Sequence, residues 1–272
     1  MTKKATFSYV LFASILVFTL SFNANTIQGQ SGPEFVFASH NIDPEHIKNL
    51  ESLIDQMNQK GYDLKTLMED PRFELYEGMT QRFTRSAERK TPTLDEYKVI
   101  LGYDVKNQNI RNFIEENRDQ LNQAEREYDI PKYVIAAIIG VESDFGRNTG
   151  SFNPLNAYVS MIAENYRAEF ATAQLEELLK FTSDREMDVF ELNSSYAGAM
   201  TYAQFIPYSL NRWWVGNDLT SMENNILSVA NYLAHFKNIT GSVERAVYRY
   251  NPSQLYTNAV LSLASDAEKM FE

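Results

Sequence analysis

Pro131-Lys-Tyr-Val-Ile-Ala-Ala-Ile-Ile-Gly-Val-Glu142 is the stretch on which the fold turns. Val134 through Val141 is apolar at every position, so a helix here shows no polar side to water. Such a helix belongs inside a protein, wrapped by other elements. Its eight apolar residues fall far short of the ~20 that a membrane-spanning helix needs. The helix, expected from Lys132 to about Glu142, runs into Glu142-Ser-Asp-Phe-Gly146. A carboxylate at the end of a buried helix loses hydration and meets the negative end of the helix dipole. Both effects favour the protonated acid. A carboxylic acid kept neutral near pH 7 is suited to general-acid chemistry. A Glu at a helix end is also commonly no more than the first exposed residue after a core segment, so other segments decide.

Outward from this helix the chain reads as helix after helix. Asp43-Pro44 combines an N-cap residue with Pro at the first helical position. Ile47, Leu50, Leu53, Ile54 and Met57 then form an apolar stripe at three- and four-residue spacing, and Gly61 closes it. Thr93-x-x-Glu96 predicts a capping box after Pro92. Ile110, Phe113, Ile114, Leu121 and Ala124 form another stripe. Gln174 to Phe181 carries Leu175, Leu178 and Leu179. Thr220-x-x-Glu223 precedes Ile226, Val229, Ala230, Leu233 and Phe236, with Gly241 as the stop. Pro252 is expected to start the last helix, with Leu255, Ala259, Val260 and Leu263 inward. No alternating run of strand length occurs; Thr201–Ile206 is the one short candidate for extended chain. The fold class is all-α, packed irregularly, without repeats or low-complexity tracts.

Composition narrows the chemistry. The 272 residues carry 25 Lys+Arg against 36 Asp+Glu, a net charge of −11, and no Cys. Disulfides, Cys-ligated zinc, thiol nucleophiles and a lipidated Cys are therefore excluded. The acidic balance argues against nucleic acid as a partner, because phosphate neutralisation needs Lys and Arg. At the N-terminus, Lys3 and Lys4 precede an uncharged run from Phe7 to Phe22 and then polar Asn23-Ala-Asn-Thr26. This is the layout of a secretory signal over residues 1–30, with cleavage between 24 and 30. An exported protein without Cys fits a bacterial periplasm or cell surface, and no stable membrane anchor is expected unless the signal stays uncleaved.

His40, His46 and His235 are dispersed, so neither a metal site nor a Ser/His triad has support, and His235 reads as an ordinary half-buried side chain. No phosphate-binding Gly-rich loop exists. No cofactor or metal is expected. Ser194-Ser-Tyr-Ala-Gly-Ala-Met200 runs into Thr201-Tyr-Ala-Gln-Phe-Ile-Pro207, where small residues allow close backbone approach. Tyr248-Arg-Tyr-Asn-Pro252, followed by Tyr256, adds amide and phenol groups at a helix junction. Aromatic faces beside amides are the mixture that binds sugars. Each segment also has a local explanation: Ala-Gly-Ala as helix packing, Tyr202 and Tyr250 as core aromatics, Asn251 as an N-cap.

Taken in order, Val141-Glu142-Ser143, Ser195-Tyr-Ala-Gly-Ala-Met-x-Tyr-x-Gln-Phe-x-Pro207 and Tyr250-Asn251 with Ser253 and Tyr256 resemble the lytic murein transglycosylases, in the branch of the membrane-bound B type. The resemblance spans about Tyr128 to Leu263. It implies a lysozyme-like helical catalytic domain over residues 93–272, with residues 33–92 as an N-terminal helical extension and nothing appended. It implies action on peptidoglycan glycan strands, cleaving between N-acetylmuramic acid and N-acetylglucosamine and leaving 1,6-anhydromuramyl ends. Glu142 would be the single catalytic acid/base, with Ser143, Ser195, Tyr202, Gln204, Tyr250, Asn251 and Tyr256 binding substrate. One acid then suffices where retaining hydrolases need two carboxylates. The chain departs from the branch in carrying Ser143, Asp144 and Phe145 after the acid. It also lacks the D-x-D-x-D-G calcium pattern between Tyr208 and Thr220, so calcium is not expected there. Asp144 reads as a capping or surface acid paired with Arg147. A non-catalytic peptidoglycan-binding scaffold, a muramidase and a chitin-cleaving enzyme on the same fold are the competing functions.

Overall fold

The computed structural model describes residues 43–87 and 92–272. The signal-like segment 1–30 and His40 lie outside the described residues. Thirteen α-helices are described: α1 Pro44–Gln59, α2 Leu64–Glu69, α3 Met79–Ala87, α4 Leu94–Ile100, α5 Tyr103–Glu116, α6 Arg118–Tyr128, α7 Lys132–Ser143, α8 Pro154–Ala163, α9 Ala168–Ser183, α10 Pro207–Trp213, α11 Met222–Thr240, α12 Val243–Tyr250 and α13 Gln254–Lys269. Among the described residues the only β structure is three isolated bridges, so the chain is all-α as expected.

Two helices are buried along their length, and each gathers its own neighbours. In α7 every residue from Val134 to Ser143 is buried, and α5, α6, α11 and α13 pack around it. Its five branched side chains, Val134, Ile135, Ile138, Ile139 and Val141, contribute on the order of 10 kcal/mol as an upper estimate. In α8 all ten residues are buried, and α1, α3 and α9 lie against it. The Asn153 side chain caps α8 by accepting from the amides of Leu155 and Asn156 at 3.0 and 3.2 Å. That satisfies amide groups that have no partner within the first turn.

The expected caps hold in α1, where Asp43 accepts from the Glu45 amide at 2.8 Å, and in α4, where Thr93 and Glu96 form the full capping box. Other boundaries shift for local reasons. The stripe from Ile110 to Ala124 belongs to two helices, broken at Asn117, whose side-chain amide donates to the Phe113 carbonyl at 2.9 Å and ends α5. Helix α11 is capped by Ser221 instead of Thr220, because Thr220 is held in a turn by Asp218. The last helix starts at Gln254 under a Ser253 cap, two residues after Pro252. Asn251 is consequently the C-cap of α12 and not an N-cap. Ile47, expected inward, is 44% exposed, and His235 is exposed beside Trp213.

The short Thr201–Ile206 stretch is a tight turn instead of a strand. Met200 bridges to Phe205, Ser194 bridges to Met200, and Phe152 bridges to Ser194. These bridges tie the loop after α7 to the segment between α9 and α10. No helix among the described residues is long and apolar enough to cross a membrane.

Candidate active site

Glu142 is the next-to-last residue of α7 and is only 5% exposed. Burial pushes its carboxyl up from the ordinary carboxylate range to about 7. A hydrogen bond from Tyr256 and the charge of Lys106 pull in the opposite direction and offset part of that rise. The Tyr256 hydroxyl on α13 donates to Glu142 Oε1 at 2.6 Å. The carboxyl thus keeps its proton to a higher pH than an ordinary carboxylic acid, with one oxygen held by a phenol.

Three tyrosines feel the charge of this acid. Tyr256 is 1% exposed, and burial followed by the Glu142 charge raises its phenol well above the usual value. Tyr250, at the end of α12, is raised for the same two reasons. Its hydroxyl donates to the Ala203 carbonyl at 2.5 Å, which fastens α12 to the turn carrying Tyr202 and Gln204. Tyr97 on α4 is the third, raised by burial and by the Glu142 charge. Sequence reasoning missed Tyr97, because its place between Leu94 and Leu101 marks only an inward helix position.

The loop after α7 makes the other half of the wall. Ser143 is fully buried, donates to the Ile139 carbonyl at 3.2 Å and accepts from the Gly146 amide at 2.9 Å. Its hydroxyl is spent on the turn, so the geometry does not offer the sugar contact expected of it. The next residue, Asp144, has φ 53° and ends the helix. Gly146 has φ 86°, and a Cβ there would sit 3.4 Å from the Tyr202 ring and 3.1 Å from Met222. Gln204, itself at φ 51°, directs its amide to the carbonyls of Thr201 at 3.1 Å and Thr149 at 3.5 Å. Ser195 is half-buried, and its hydroxyl accepts from the Ala199 amide at 3.2 Å. Asn251 is buried at the α12 cap, next to Tyr250.

The structure therefore joins Glu142 directly to Tyr256 and brings Tyr250 and Tyr97 within range of its charge. Tyr202 and Gln204 are linked to the loop after α7 by their contacts with Gly146 and Thr149. Ser195 is tied in through the Ser194–Met200 bridge.

A charged cluster lies behind the acid. Lys106 on α5 is 4% exposed, and its Nζ is 3.4 Å from Asp144 Oδ1. Arg147 reaches Asp144 Oδ2 at 3.0 Å, as expected from the sequence. Lys106 was not expected. Its signal was available: Tyr103, Lys106, Ile110, Phe113 and Ile114 share one face of α5, so a lysine occupies a core position.

The chain is similar to known proteins. The family model described as Transglycosylase SLT domain matches residues 45–244. The chain is 38% identical over 128 residues to the membrane-bound lytic murein transglycosylase B of Escherichia coli, covering 44% of this chain and 35% of that relative, so the match spans about a third of the relative's length. Among solved structures it is similar to the soluble lytic transglycosylase SltB1 of Pseudomonas aeruginosa, with TM-score 0.74, 24% identity, and coverage of 82% of this chain and 99% of that one. It is also similar to SltB3 of Pseudomonas aeruginosa, solved in complex with NAG-anhNAM-pentapeptide, with TM-score 0.72, 19% identity, and coverage of 83% and 80%. At these identities the two structures speak for the fold.

Proposed function

Because this chain belongs to the SLT transglycosylase-domain family, we propose that it is an exported peptidoglycan lytic transglycosylase with Glu142 as its acid/base. The observation that carries this reading is the buried Glu142 carboxyl, raised to about 7 and fixed by the Tyr256 hydroxyl. Protonated Glu142 gives its proton to the oxygen between N-acetylmuramic acid and N-acetylglucosamine as the bond to the muramyl anomeric carbon breaks. The resulting carboxylate takes the proton from the muramyl 6-hydroxyl as that oxygen attacks the same carbon. The product is a 1,6-anhydromuramyl end, and no water is consumed. An acid poised near the working pH serves both halves of such a reaction.

A hydrolytic route that uses Asp144, two residues after the acid, as the second carboxylate is disfavoured, since Asp144 is engaged by Lys106 and Arg147. Tyr202, Gln204, Tyr250 and Asn251 supply ring faces and amides for the sugars, and Ser195 orients the muramyl substituents. Ser143 acts by setting the turn behind them. The catalytic part is assigned to residues 93–272 and the extension to 33–92, although the family match runs across that boundary. Export rests on the signal-like segment 1–30.

Digestion of purified murein sacculi with the full chain tests the reading, with products identified by mass spectrometry. Anhydromuropeptides are expected. Reducing muramyl ends would make the protein a muramidase, and binding without release would make it a scaffold. A Glu142→Gln protein that retained full turnover would remove Glu142 from the assignment.

A further inference from the structure

A lysine buried to 4% exposure needs a reason, because an ammonium taken out of water is costly unless it is paired. Among the described residues Lys106 has one ion-pair partner, Asp144 Oδ1 at 3.4 Å, and that partner is shared with exposed Arg147. A surface pair would serve helix α5 equally well without the desolvation cost. The side chain instead runs inward from a position between Tyr103 and Ile110, on the face that packs against α7. Asp144 is the residue that ends α7, two positions after Glu142, and its left-handed backbone turns it out of the helix toward α5. The pair therefore lies at the α5–α7 junction, against the end of the helix that carries the acid.

We propose that Lys106 is a positioning residue for the reaction: Asp144 anchors its ammonium inside the protein, where its positive charge faces Glu142 and steadies the carboxylate left after the first proton transfer. The inference rests on the reading of Glu142 as the acid/base. Among the described residues the other groups coupled to Glu142 are phenols, Tyr97 from α4, Tyr250 from α12 and Tyr256 from α13. None of them carries charge at neutral pH. Among the described residues Lys106 is the one cation that acts on this carboxyl, and it opposes the effect of burial. Burial works against the lysine too, lowering its own value, while Asp144 restores part of it. The division of labour follows: the apolar wall keeps Glu142 protonated for the first step, and Lys106 makes its ionised form accessible for the second.

Lys106→Met replaces the ammonium by an apolar group of similar length and leaves Asp144 with Arg147. In protein labelled at the glutamate carboxyl carbons, the Glu142 resonance is assigned by its loss in Glu142→Gln and titrated by NMR. In Lys106→Met its midpoint is expected to move up by about half a pH unit or more. The alkaline fall of kcat/KM on sacculi is expected to move with it. An unchanged midpoint in a folded Lys106→Met protein overturns the proposal. Should that variant fail to fold, Lys106→Gln carries the same expectation. In the unmodified chain, 15N NMR of the lysine side chains must find Lys106 still an ammonium across the range where Glu142 titrates; a neutral amine there also overturns it. The two failures are separable. A midpoint that moves in a protein that cleaves no glycan retires the catalytic reading of Glu142, whereas anhydromuropeptide release with an immobile midpoint retires Lys106 alone.

Discussion

The Tyr256 hydroxyl donates a 2.6 Å hydrogen bond to Oε1 of Glu142, joining the first turn of α13 to the last turn of α7 across 114 residues. The bond favours the ionised carboxyl and so opposes burial. It also fixes the direction in which the carboxyl points. Tyr256→Phe keeps the ring in place and removes the donor. Glu142 is then expected to titrate higher by about half a pH unit to one unit. If Glu142 must be protonated to act, the alkaline fall of kcat/KM moves up with it. At pH 6 the rate is expected to drop on the order of tenfold, because the freed carboxyl loses its alignment. A kcat/KM profile from pH 5 to 9 for both proteins measures each effect.

The raised value of Glu142 also has a signature in stability. In the unfolded chain the carboxyl ionises near 4.5, and in the folded chain near 7. Between these values the folded state binds the extra proton, so stability falls as pH rises through the window. The loss is complete above about pH 7 and absent below about pH 4. At 1.36 kcal/mol per pH unit it approaches about 3 kcal/mol. Glu142→Gln has no carboxyl to ionise and keeps an acceptor for Tyr256. Its urea-unfolding free energy relative to the wild type is therefore expected to grow between pH 4.5 and 7. A difference independent of pH would show that the carboxyl is not held protonated.

Strain sits in the turn that Tyr250 pins. Thr201 has φ 69° and Gln204 has φ 51°, two non-glycine residues in the left-handed region within one four-residue turn. A β-branched residue in that region is uncommon and costs on the order of 1–3 kcal/mol. The Met200–Phe205 bridge closes the turn, and the Tyr250 bond to Ala203 pins it from outside. Thr201→Asn places a residue more tolerant of that backbone and keeps a side-chain oxygen for the Ala203 amide, which now donates to Thr201 Oγ1 at 3.3 Å. Thermal unfolding is expected to shift upward, by about 1 kcal/mol at the midpoint. An unchanged or lowered midpoint would show that the surrounding packing needs threonine there.

Much of this architecture was legible from the chain. The apolar run Val134–Val141 specified a buried helix because no rotation of it avoids burying hydrophobic surface. The Thr93 capping box and the Asp43-Pro44 start were local chemistry, decided by a few adjacent atoms. What the chain concealed was longer-range. Helix α8 has only polar Asn156 and Ser160 to distinguish it, and its burial depends on α1, α3 and α9 arriving from elsewhere. The break at Asn117 was hidden because apolar spacing continues across it. At the candidate site, residue types pointed to Glu142, Gln204 and Tyr250, but Tyr97 and Lys106 lie some forty residues earlier. Only packing of α4 and α5 against the acid gives them meaning. Ser143 shows the converse, since a polar residue next to the acid is consumed by the turn it makes.

Gly198 tests how tightly the Ser195 loop is built. It has φ 79°, and a Cβ placed on it would lie 2.2 Å from Cζ and 2.5 Å from the hydroxyl of Tyr158. Tyr158 is fully buried in α8, and its hydroxyl donates to the Gly198 carbonyl at 2.9 Å. The ring cannot retreat, because the core packs against it on every side. Gly198→Ala must therefore displace the loop and break that bond, leaving a buried phenol without its acceptor. Backbone strain, overlap and the lost bond together are expected to cost more than about 3 kcal/mol. The loop also carries Ser195, whose backbone bonds to Ala199 and Gly198 hold the turn at 2.8 and 2.9 Å. KM for sacculi is accordingly expected to rise in any fraction that folds. Pairing Gly198→Ala with Tyr158→Leu separates the causes: the ring atoms that the methyl group strikes are then gone, so Gly198→Ala should cost less in that background than in the wild type, measured by thermal unfolding. An equal cost in both backgrounds would place the damage in the backbone angle of residue 198 and not in the contact with Tyr158.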